Sequence, residues 1–194
     1  MKKTLLFSAI IAVSMAFSYN TLAPQGKLKF DVGTKMVYNC NFMGDTFDYN
    51  LDITGREAGG VAFNYEMTNK SKTKGSAAIS PDALKTANKI NCYFPTGNMQ
   101  LRDATTIWLS TKSYEKLSSG EVVVIDIGNA NEDLKLVSKQ KMDVKIGSRT
   151  KSVKVLYGVT NANHKFWILD DKKNPVILKW DIDFGWTGSI KEIK

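Results

Sequence analysis

Histidine, cysteine and arginine are scarce in this 194-residue chain, and each scarcity removes a class of function. A single histidine, His164, excludes any multi-histidine metal site. The only two cysteines, Cys40 and Cys92, lack the C-x-x-C spacing of a redox pair. Three Arg stand against 24 Lys, and arginine is the residue of bidentate phosphate and base recognition. The net charge of +8 is therefore read as surface hydration, and no nucleic-acid partner is expected. Neither a G-x-S-x-G elbow nor a glycine-rich phosphate loop occurs. Beyond Phe17 no apolar run is long enough to span a bilayer as a helix.

The first residues read as an address. Met1-Lys2-Lys3-Thr4 precedes an apolar run from Leu5 to Phe17 that is broken only by Ser8 and Ser14. Ala16-Phe17-Ser18 then places small residues at alternate positions, the pattern a signal peptidase reads. The expectation is a signal peptide over 1–18 and an exported, single β-rich domain over 19–194. No Cys lies near the cleavage region to take a lipid. The local clusters Lys70, Lys72, Lys74 and Lys139, Lys141, Lys145 read as solvated faces, with contact to an anionic membrane surface or glycan as the alternative.

Period-two alternation dominates the mature chain. Met36, Tyr38, Cys40 and Phe42 alternate with Val37, Asn39, Asn41 and Met43, and Phe47, Tyr49, Leu51 and Ile53 alternate with polar residues. After a turn over 55–60, Val61, Phe63, Tyr65 and Met67 repeat the pattern. Successive strand residues face opposite ways, so these segments predict a meander with one aromatic and one wet face. Further strands are expected at 90–94, 105–109, 121–127, 142–146, 153–157, 164–169, 175–182 and 184–193. Ser80-Pro81-Asp82 starts one short helix running to Lys89, and Ser110 or Thr111 caps a second that Gly120 ends. The fold class is mostly β: a single curved antiparallel sheet, half-barrel, open barrel or sandwich, of about ten strands with two short helices.

Cys40 and Cys92 each fall in an expected strand. In an oxidising compartment they predict a disulfide worth roughly 4 kcal/mol by loop entropy, with two buried thiols as the alternative. Reactive constellations are thin. Four S-x-x-K matches in a lysine-rich chain carry little information, and Ser113 with Lys116 reads as a solvated helix face. His164, in the polar stretch Asn161-Ala162-Asn163, reads as an exposed turn residue. Asp181 and Asp183 share a wet strand face with Lys179, which is expected to neutralise them. Asp45, Asp48 and Asp52 lack the pattern of a calcium loop. No metal site, cofactor or catalytic residue is assigned.

The aromatic inventory remains. Tyr38, Phe42, Phe47, Tyr49, Phe63 and Tyr65 all project to one side of the first meander. That side is either ordinary core or, if the sheet stays open, a concave apolar surface for a greasy ligand.

The order of elements carries a resemblance. Gly33-Thr34-Lys35-Met36-Val37-Tyr38 opens the meander, Ile107-Trp108-Leu109-Ser110 leads into a helix, and Phe166-Trp167-Ile168-Leu169-Asp170-Asp171 precedes Asn174-Pro175-Val176-Ile177-Leu178-Lys179. This layout resembles uncharacterised exported β-sheet domains of Gram-negative bacteria that look like the half-barrels of periplasmic lipoprotein carriers. Such carriers hold acyl chains in an apolar concavity under helices, so the resemblance implies a lipid-like ligand and a periplasmic or surface location. It carries over no catalytic residue, and the helices here are shorter. The expected function is a non-enzymatic envelope protein that binds an apolar or lipid-like molecule. A structural or protein-interaction module is the alternative, and a hydrolase using Ser113 or His164 the third reading.

Overall fold

The computed structural model describes residues 27–128, 130–183 and 185–194, so the expected signal peptide and Phe184 lie outside the described residues. The aromatic meander forms as expected. Strands β1 (Lys35–Phe42), β2 (Asp45–Gly55) and β3 (Val61–Met67) pair antiparallel, with Tyr38 opposite Tyr49 and Leu51 opposite Tyr65. The β1–β2 loop is Met43-Gly44 with φ of 52° and 89°, the doubly left-handed turn whose twist suits a hairpin.

Beyond β3 the chain adds β4 (Lys74–Ile79), helix α1 (Pro81–Thr86), β5 (Lys89–Ile90), β6 (Gly97–Leu101) and β7 (Ala104–Thr105). Helix α2 (Thr111–Ser119) leads to β8 (Val123–Asp126), β9 (Asn131–Ile146), β10 (Arg149–Thr160), β11 (Lys165–Leu169), β12 (Ile177–Ile182) and β13 (Trp186–Ile193). All thirteen strands belong to one curved sheet ordered β6-β4-β3-β2-β1-β13-β12-β11-β10-β9-β8-β5-β7. The last strand therefore lies beside the first, in the middle of the sheet. The two edge strands, β6 and β7, are separated in the chain only by Arg102 and Asp103.

The class matches the expectation, with more strands and a mixed rather than purely antiparallel sheet. Parallel pairs β4–β6, β5–β7 and β5–β8 occur towards the two edges. Between β4 and β6, α1 carries the chain back before it re-enters the sheet, and such a crossover restores the same direction. The expected strand 105–109 is cut short. Ile107 takes φ 60°, sparsely populated for a β-branched residue, and beyond it the segment makes only a single bridge, from Trp108 to Val176. Helix α1 stops at Thr86 rather than Lys89 because Asn88 and Lys89 are drawn into sheet pairing, Asn88 O accepting from Asp126 N.

Both helix starts obey their sequence signals. Ser80 accepts from Ala83 N with Pro81 in the first turn, and Ser110 accepts from Ser113 N. Gly120 ends α2 in the left-handed conformation. Around this frame the inner face is filled. Tyr38, Tyr49, Phe63 and Tyr65 are buried and covered by the segment between the helices: Phe94 lies 4.8 Å from Tyr49 and 5.4 Å from Tyr65, and Trp108 lies 6.0 Å from Phe63. The Tyr38 hydroxyl donates to Ile177 O at 3.0 Å, and the Tyr65 hydroxyl donates to Pro95 O. Four of the six rings are core, held by packing and, at Tyr38 and Tyr65, by a hydroxyl hydrogen bond as well.

Candidate functional site: an apolar cleft at one end of the sheet

The other two rings behave differently. Phe42 ends β1 at the rim, 45% exposed although it shares the parity of Tyr38 and Cys40, because the chain turns away at Met43 before the inner segment can cover it. Phe47 enters β2 half-buried. Together they line a cleft of about 540 Å³ with Met67, Tyr93, Phe94, Ile127, Ile182 and Trp186. Trp186 stands edge-on to Phe42 at 6.0 Å and to Trp180 at 6.4 Å, so the wall is a stack of aromatic edges. A narrow extension of about 30 Å³ runs inward past Ile107, Phe166 and Trp180. Tyr93 is 73% exposed at the mouth, and Met43 on the adjoining turn is 74% exposed.

This volume falls within the range of about 300–1,000 Å³ typical of small-molecule sites, and the walls are mainly apolar with a few polar groups at the edge. A slightly larger concavity of about 600 Å³ lies on the opposite, wet face of β1–β4, lined by residues such as Lys35, Asp52, Glu66, Lys74 and Lys194. Two of its charged residues already pair, Lys35 with Asp52 at 3.8 Å.

Beside the cleft lies a buried histidine–carboxylate pair that the sequence concealed. His164 is buried, contrary to the exposed turn expected. Its Nδ1 sits 2.8 Å from Glu132 Oε2, both side chains 7% exposed. Its Nε2 is 3.3 Å from Asp183 Oδ2, without hydrogen-bond alignment. Asp183 is 65% exposed and forms part of the cleft wall. The polar turn is locally exposed, but β9 passes over its end: Asp133 O accepts from Asn161 N, and Glu132 is thereby set over the imidazole. Nothing in the sequence near His164 announces a partner 32 residues away.

The neighbouring carboxylate also differs from expectation. Lys165 pairs with Asp181 at 2.9 Å, whereas Lys179 lies over the Trp167 ring at 4.4 Å. Asp48 pairs with Lys191 at 2.8 Å and Asp52 with Lys35 at 3.8 Å, and no group of acidic, Cys or His residues suited to a metal occurs among the described residues. Ser113 is buried, its hydroxyl bonded by that of Ser110, while Lys116 is exposed. The structure does not bring Ser113 to His164, whose two nitrogens face Glu132 and Asp183.

Cys40 and Cys92 are free thiols, and no disulfide joins them. Cys40 is on the inner face of β1, whereas Cys92 belongs to the loop after β5, not to a strand, and lines the cleft. Burial, followed by the charge of Asp48 for Cys40 and of Asp126 and Glu132 for Cys92, pushes both thiols up to about 12. A raised native pKa means the folded state retains the proton. This contribution to stability is complete below pH 9 and lost as the pH climbs towards 12. At pH 8 Cys40 should therefore react with a thiolate-seeking disulfide reagent only as fast as the protein unfolds, and Cys92, at the cleft, slowly for want of thiolate, with two equivalents titrating in denaturant. One rapidly reacting equivalent in the native protein would contradict this environment.

No protein-family model, curated protein or solved structure matches this chain.

Proposed function

We propose that the protein is an exported envelope protein that works by binding rather than catalysis, and that it holds an apolar or lipid-like small molecule in the cleft beside Trp186. The supporting observation is the cleft: half-exposed Phe42, exposed Tyr93 and the Trp186 edge surround a concavity large enough for a ligand. The inner aromatic face expected to receive the ligand is occupied by the chain's own 90–109 segment. Binding therefore belongs at the open end, where Phe42 and Phe47 emerge. Each methylene moved from water into such a cleft contributes about 0.8 kcal/mol, so about ten buried methylenes match micromolar binding before the costs of association, which calls for a long acyl chain.

The test is uptake of a polarity-sensitive fluorescent fatty acid, together with native mass spectrometry of protein taken from its host. Wild type should bind the probe. Phe42→Asp should weaken binding about tenfold while preserving the circular dichroism spectrum, because this ring is partly solvated and outside the core. A ligand-free mass with no probe uptake would refute the proposal.

A further inference from the structure

Resting on the cleft reading, we infer that its occupant is a single-chain amphiphile with a zwitterionic head. Three charged side chains line the cleft: Asp45, Lys89 and Asp183. Asp183 Oδ2 lies 3.3 Å from His164 Nε2. Asp45 and Lys89 are exposed and make no ion pair among the described residues, although the surrounding surface uses pairs such as Lys191–Asp48 and Lys165–Asp181. The rim thus offers one unpaired carboxylate and one unpaired ammonium.

The two charges come from different parts of the sheet and do not pair with each other. Asp45 opens β2 and Lys89 opens β5, strands far apart in the sheet order that the curvature returns to the same cleft. Asp45 lies opposite Phe42 in the β1–β2 register, and Phe42 meets Trp186 edge-on. A carboxylate beside aromatic rings suits an ammonium group. Lys89, a compact point charge, suits a phosphate or carboxylate. A purely anionic head would gain Lys89 but face Asp45, and a purely cationic head would face the reverse. Only a head carrying both charges satisfies both walls.

Size limits the tail. With about 30 Å³ for a water-sized group, the 540 Å³ cleft holds about eighteen such groups, one acyl chain with part of its head rather than two chains. The narrow inner extension, about 30 Å³, accepts one chain end at most.

Calorimetric titration with three amphiphiles of equal chain length, below their micelle concentrations, tests the inference: an alkylphosphocholine, an alkyl phosphate and an alkyltrimethylammonium. The phosphocholine should bind about tenfold more tightly than either of the others. Asp45→Asn should weaken the phosphocholine and the ammonium about tenfold and leave the phosphate unchanged or tighter, whereas Lys89→Met should weaken the phosphocholine and the phosphate and spare the ammonium. Equal affinities across the panel, or insensitivity to both variants, would overturn the head-group assignment while leaving the cleft as an apolar site. Failure of all three to bind would overturn the cleft reading itself.

Discussion

Truncating His164 to alanine should cost about 3–5 kcal/mol of folding stability, read as a fall in the urea midpoint at unchanged slope. The imidazole is the only partner that hydrogen-bonds the Glu132 carboxylate among the described residues, and both side chains are 7% exposed. Its removal leaves a carboxylate in a site that water hardly reaches, and the penalty is desolvation as much as a lost bond. Glu132→Leu combined with His164→Leu should recover most of the loss, because replacing both members of a buried pair by apolar groups is often neutral. Asp183→Asn, at a 65% exposed position, should change stability by less than about 1 kcal/mol. A His164→Ala loss below about 1 kcal/mol would show that the pair is solvated in solution.

The second large effect concerns two glycines that perform different jobs. In β13, Gly188 lies opposite Trp180, and a Cβ there would enter the indole ring; in β4, a Cβ on Gly75 would collide with the main-chain oxygen of Gly97 and approach the Tyr65 hydroxyl to 2.7 Å. Alanine at either position should destabilise by about 3 kcal/mol, the upper end of overpacking costs. Rescue distinguishes them. Trp180→Leu should restore part of the stability of Gly188→Ala, since the obstacle is a side chain. At Gly75 no side-chain replacement can clear Gly97 O, so Tyr65→Phe should recover little of the Gly75→Ala loss. Thermal denaturation of the four single and two double variants decides the matter, and equal rescue at both positions would contradict the close main-chain approach of β4 and β6.

How much of the fold and the cleft is legible in the sequence depends on where the information resides. The meander is plain because large apolar residues alternate there, and both helices are marked by capping residues acting within a single turn. Strand β4, Lys-Gly-Ser-Ala-Ala-Ile, gives little sign of itself because its residues are small to admit the neighbouring main chain. The middle of β9 is hidden for the opposite reason: residues 137–141 are exposed on both faces, so no periodicity survives there. Phe42 and Phe47 stand among the six rings that alternation picks out, but parity alone does not separate them from the four in the core. That division depends on where the covering segment stops. Tyr93 and Trp186 are absent from the expected site because one lies in an irregular loop and the other reads as an ordinary strand residue. The burial of His164 is invisible in the sequence for the same reason that it is stable: its partner arrives from another strand.

The adjacency of β1 and β13 has a consequence for how the molecule is assembled. The seam between the earliest and latest strands runs through the centre of the sheet, so neither half is complete until the final strand has been made. Ribosomal synthesis can finish the hairpins one at a time, but the barrel-like whole must wait for the tail. Until then β1 is an open edge, paired with β2 on one side and waiting for β13 on the other.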